Sequence, residues 1–169
     1  MQLIISVELN LPEDKLPGYY AQIIKGIADI ATLVDRHKTL LFVSGSSDAD
    51  AIEAFVERYK VPSERGMWLQ LDEKWLINDR TFTDYGVLTR QGNHFLDMAL
   101  TAIVALDGVE PESELTQALQ QTEEHTLASS NANGRQLLAV DRHQVELIEG
   151  IARAYHCRAE RLPLASEAI

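Results

Sequence analysis

Leu40-Leu41-Phe42-Val43-Ser44-Gly45-Ser46-Ser47-Asp48-Ala49-Asp50-Ala51-Ile52 reads as a buried strand, a tight turn of small residues and the opening of a helix. In α/β proteins such a junction leaves backbone N–H groups unpaired, and the positive end of the helix dipole points at whatever lies beyond them. Ser44, Gly45, Ser46 and Ser47 are therefore the expected ligand-binding residues. Gly45 lets backbone approach a ligand, and the hydroxyls of Ser46 and Ser47 add donors. The same residues also suit ordinary helix capping, with Ser47 and Asp50 spaced as in a capping box.

Elements extend outward from this junction. Residues 2–8 form an apolar run suited to a strand. Between Gly18 and Arg36, Tyr20, Ile23, Ile24, Ile27, Ala31 and Val34 mark one face of a helix, with Pro17 at its start. Ile52, Phe55, Val56 and Tyr59 mark a second helix. Residues 66–71 alternate as a third strand, and residues 75–77 suit a short return strand. Residues 78–92 lack a period. The apolar residues of 94–106 wrap a helical circumference, which predicts a central helix or one at an interface between copies.

Further on, a helix is expected over 111–124, a loop over 129–134 and a strand over 136–140. Asp141 then caps a helix over 142–155, an edge strand covers 158–162, and a frayed tail covers 165–169. No internal repeat is visible. Strands alternating with helices predict a single three-layer α/β domain over 1–164. Its sheet would be mostly parallel and flanked by helices, Rossmann-like or flavodoxin-like in the broad sense. Right-handed crossovers would bring residues 44–48, 72–74 and 141–143 to one strand C-terminal edge.

Composition narrows the function classes. The chain has 169 residues, 46% of them hydrophobic, and one cysteine, Cys157, so an internal disulfide is excluded. No apolar run reaches the roughly 18 residues of a membrane span. The first residues lack a basic leader, so a cytoplasmic location is expected. A net charge of −11 disfavours nucleic acid and anionic membrane surfaces as partners. No Lys or Arg lies between Arg90 and Arg135, whereas Asp97, Asp107, Glu110, Glu112, Glu114, Glu123 and Glu124 do. Residues 107–124 are thus the expected face for a basic protein partner.

Chemistry-bearing residues are sparse. His37, His94, His125, His143 and His156 form no His-x-x-x-His pair, so no metal site is expected and no cofactor is specified. Asp48 and His143 are the candidate acid/base residues. Arg80 and Arg90, in the aperiodic segment, are candidate anion clamps. The string Ser44-Gly45-Ser46-Ser47-Asp48-Ala49 resembles the Ser-Gly-Gly-x-Asp-Ser loop of PP-loop ATP pyrophosphatases, which implies substrate adenylation. It departs at Ser46 and Ala49 and follows the second strand rather than the first.

Two functions are expected from these features. One is binding of a nucleotide or other phosphorylated small molecule at the strand C-terminal edge, with hydrolysis as the chemistry its residues would suit. The other is a noncatalytic acidic interaction protein (assembly subunit, regulator or toxin-neutralising protein) that binds a basic partner.

Overall fold

A computed structural model describes residues 1–132 and 134–164. The chain opens with β1 (Gln2–Leu9), α1 (Pro17–Ile30), β2 (Asp35–His37), β3 (Leu40–Val43), α2 (Ser46–Glu57) and β4 (Ser63–Leu71). β1 pairs antiparallel with β3 on one side and β4 on the other, and β2 pairs antiparallel with β3. A β-α-β-β-α-β chain with the order β2-β3-β1-β4 is the split β-α-β, ferredoxin-like arrangement.

Three short strands follow: β5 (Leu76–Ile77), β6 (Gly86–Leu88) and β7 (His94–Asp97). The opening arrangement then recurs as β8 (Thr101–Asp107), α3 (Leu115–Thr122), β9 (Thr126–Ala132), β10 (Arg135–Asp141), α4 (Val145–Ala154) and β11 (Arg158–Arg161). Their order is β11-β8-β10-β9, again through antiparallel ladders. β7 and β6 extend the first sheet beyond β4, and β5 extends the second beyond β9. The chain forms two compact units among the described residues, 1–70 with 88–95 and 71–87 with 96–164.

The repetition reaches the cores. In the first unit, Ile5, Val7, Leu9, Leu41 and Val43 of the sheet pack under Ile23 of α1 and Ala49, Ile52 and Val56 of α2. In the second, Ala102, Val104, Leu106, Leu138 and Val140 pack under Ala118 of α3 and Val145, Ile148 and Ala152 of α4. The registers match, since Val7 faces Leu41 and Val104 faces Leu138. Both second helices end alike. Lys60 and His156 take the left-handed conformation (φ 56° and 54°), and the next residues, Val61 and Cys157, are buried. The Val61 N–H donates to Val56 O at 3.1 Å, and the Cys157 N–H donates to Ala152 O at 2.8 Å. Each carbonyl also accepts a second N–H, that of Tyr59 at 3.0 Å and that of Tyr155 at 3.1 Å, so the last turn of both helices closes in the same way. The repeat is one of topology and core position, which the residue identities conceal.

The parallel, Rossmann-like or flavodoxin-like architecture is overturned by these ladders. The reason is a hairpin hidden between each pair of helices. Arg36, read as the end of a helix, lies in β2, and Ser129, Ser130 and Asn131, read as loop, lie in β9. With β2 and β9 unrecognised, each split β-α-β looks like a simple crossover unit.

The helix expected over 94–106 is instead β7, a turn and β8. Six of the seven β8 residues are buried, and a strand buried on both sides shows no alternation to separate it from a buried helix. The expected strand at 75–77 forms β5, but it pairs with β9 rather than returning along β4. An antiparallel sheet has no shared C-terminal edge, and residues 44–48 belong to the first unit while 72–74 and 141–143 belong to the second. The expected tail, 165–169, lies outside the described residues.

Two glycines have identifiable tasks. Gly26, inside α1, lies under the Phe55 ring, where a Cβ would come within 2.3 Å of its Cζ. Gly134 takes φ 79° in the turn that brings Arg135 opposite Ala132. Among the described residues no helix is long and apolar enough to cross a membrane.

Candidate functional site

In the six-stranded sheet β2 stands at one end and β6 at the other. Asp35 of β2 is 4% exposed and joins these ends. Its Oδ2 accepts the Thr89 hydroxyl at 2.6 Å and the Asn93 side-chain amide at 2.8 Å. Its Oδ1 accepts the Arg36 N–H at 2.7 Å. Thr89 directly follows β6 and Asn93 directly precedes β7, and Thr89 N–H closes this turn on Asn93 O at 3.0 Å. The sheet therefore curls into a nearly closed barrel whose seam is fastened by side chains instead of a ladder. A carboxylate this deep needs such donors, because an unpaired buried charge is strongly unfavourable.

A cavity of about 670 Å³ opens at the seam, lined by Tyr20, Arg36, His37, Lys38, Leu88 and Arg90, with Asp35 and Thr89 at its wall. Lys38 sits in the β2–β3 turn at φ 54°, an uncommon backbone state for a residue with a side chain. The Tyr20 hydroxyl donates to the Lys38 carbonyl and steadies that turn. Burial pushes the Tyr20 hydroxyl pKa up, opposed by the Arg36 guanidinium beside it.

The cations of this cavity lack the carboxylate partners that hold Arg65 and Arg135. Arg65 is held by Glu53 and Asp50, each at 2.7 Å, and Arg135 by Asp107 at 2.9 Å. Among the described residues Arg36, Lys38 and Arg90 form no ion pair with a carboxylate. Three cations against the one Asp35 carboxylate leave this cavity net positive in a chain of net charge −11, which favours an anion there.

Of the residues expected from sequence, Arg90 lies in this cavity. Arg36, Lys38, Tyr20 and Asp35 were missed. Their signal was the run Arg36-His37-Lys38, a concentration of positive charge in an acidic chain. Ser44, Ser46 and Ser47 are exposed at the start of α2, where Gly45 is the N-cap with extended backbone and no side-chain cap bond. The Asp48 carboxylate occupies the first turn and accepts the Thr32 N–H at 3.2 Å. It already complements the helix dipole and opposes a second negative group. Arg80 lines a separate groove in the second unit.

His143 is exposed in the short 3₁₀ turn before α4, in the other unit from Asp48. Its N–H donates to Asp141 Oδ1 at 2.8 Å, while Tyr85 O–H donates to Oδ2 at 2.7 Å. These bonds hold the Asp141 carboxyl below the usual carboxylate range, and Asp141 in turn pushes the Tyr85 hydroxyl up. A depressed carboxyl stabilises the fold above its unfolded pKa of about 4, and that stability is lost as pH falls through the lower folded value. Asp141→Asn is therefore expected to destabilise more at about pH 6 than at about pH 3. Urea unfolding at both pH values checks this, and an equal deficit at each would mean the carboxylate charge is not what these donors require. Cys157 is buried, which pushes its thiol up and away from reactivity. Among the described residues no cluster of three His, Cys, Asp or Glu side chains is placed to hold a metal ion.

Comparison with models of known families, with curated proteins and with solved structures finds no match to this chain.

Proposed function

We propose that the first unit binds a phosphorylated small molecule in the seam cavity. The observation that carries this reading is the convergence of Arg36, Lys38 and Arg90 without carboxylate partners, beside an Asp35 whose oxygens are already engaged by three donors. Two guanidiniums offer planar forks to phosphate oxygens, and Lys38 adds a compact charge. The Tyr20 ring and Leu88 supply an apolar wall for the organic part of the ligand. The reading retains Arg90 from the sequence and moves the anion from the start of α2 to the seam. It is a reading of binding, with no catalytic step assigned.

Calorimetric titration with inorganic phosphate, pyrophosphate, nucleoside phosphates and sugar phosphates tests it. At least one class is expected to bind saturably. Arg36→Gln combined with Arg90→Gln is expected to weaken it about a hundredfold, as for two charge-assisted hydrogen bonds. Near-UV circular dichroism establishes that the double variant is folded. Unchanged affinity in that variant, or no binding across the series, would remove the proposal.

A further inference from the structure

The second unit concentrates the negative charge, with 15 acidic side chains against seven basic ones. Its sheet also ends on an open edge. β5 is the last strand beyond β9 and is two residues long. In its ladder Leu76 faces Ser129 and Ile77 faces Ala128, and the Asn78 N–H continues the pairing on Leu127 O at 2.9 Å. Antiparallel bonding alternates sides, so Ile77, between two bonded positions, turns its N–H and C=O away from β9.

Beside this edge lies a groove of about 830 Å³ between β5 and the end of α3, lined by Leu76, Asn78, Gln121, Glu123, Glu124 and Ser129, among others. The Leu76 side chain is 75% exposed. The last turn of α3 holds no basic residue, and Glu123 and Glu124 follow it directly, so the negative end of the helix dipole and two carboxylates act together. Glu124 reaches the His125 ring at 3.3 Å, and Arg80 also lines the groove.

We propose that this edge is the docking site for an extended, Lys/Arg-bearing segment of a basic partner protein, added as a strand beside β5. The Ile77 N–H and C=O bond to the segment's backbone, its apolar side chains cover Leu76, and its cations reach Glu123, Glu124 and the carbonyl end of α3. The inference places part of the expected 107–124 face in a defined groove, and it is independent of the seam cavity.

The probe is a fluorescent eight-residue peptide of alternating Lys and Val, titrated against the full chain by anisotropy at low salt. Saturable binding is expected, with slowed hydrogen exchange at the Ile77 amide. Glu123→Gln combined with Glu124→Gln is expected to weaken it about tenfold, and N-methylation of alternate peptide amides to abolish it. Arg36→Gln with Arg90→Gln must leave it unchanged. No saturable binding, indifference to N-methylation, or unaltered Ile77 exchange would overturn the proposal. Self-association that is lost in Leu76→Ser would overturn it in favour of a second copy of this chain as the occupant.

Discussion

Asp35→Ala is expected to lower stability by about 3 kcal/mol. The substitution removes the acceptor for three donors at once: the Thr89 hydroxyl, the Asn93 amide and the Arg36 N–H. Thr89 is 5% exposed, so water does not readily replace the carboxylate. Each orphaned buried donor costs about 1–3 kcal/mol, moderated by relaxation at the rim of the cavity. Asp35→Asn should recover part of the loss, because one acceptor oxygen survives while the new amide faces existing donors. Urea unfolding of both variants measures the effect. A loss below about 0.5 kcal/mol in Asp35→Ala would mean that the barrel closes without this fastening.

Phe42→Ala carries the other large effect, about 3–5 kcal/mol. Phe42 is fully buried, stacked on Phe95 with centroids 3.9 Å apart and planes at 5°, and edge-on to Trp68 at 5.5 Å. Truncation removes the transfer energy of the ring, leaves a void and deletes two aromatic contacts. Trp68 is the built-in reporter, since its indole N–H is fixed on Ser6 Oγ at 2.9 Å and its other neighbour disappears. The near-UV dichroism of Trp68 should weaken and the urea midpoint should fall. Phe42→Leu, which keeps most of the volume, should cost less than half as much. Similar losses for the two variants would show that ring stacking, not volume, dominates at this position.

How much of this architecture was legible depended on where each strand sits. β1, β3 and β10 are apolar and central, α2 and α4 show a clear 3.6-residue period, and all five can be read from the chain. β2 is Asp35-Arg36-His37, and much of β9 is Ser129-Ser130-Asn131, polar residues with little strand preference. Both are the second strand of a split unit, and both owe their conformation to the ladder of a neighbour. Omitting these two strands turned an antiparallel fold into an apparently parallel one.

The candidate site was obscured for a related reason. Arg90 could be noticed in an aperiodic segment, but Asp35 meets Thr89 and Asn93 across 54 and 58 residues of chain. No local pattern encodes such a meeting. The start of α2 was legible as a helix start, and its reading as an anion site rested on a parallel sheet that is not there.

The matched cores are not equal in bulk. Where the first unit has Ile5, Ile23 and Val56, the second has Ala102, Ala118 and Ala152, and the opposite exchange occurs at Ala49 and Val145. Interiors are packed to nearly constant density, so neighbours of a smaller side chain must fill the space it leaves. The exchange is uneven, since α4 keeps Val145 and Ile148 beside Ala152, and α2 keeps Ala49 beside Ile52 and Val56. One topology is thus filled by different side-chain volumes at matched positions, and a residue moved between equivalent positions would meet a space of a different size.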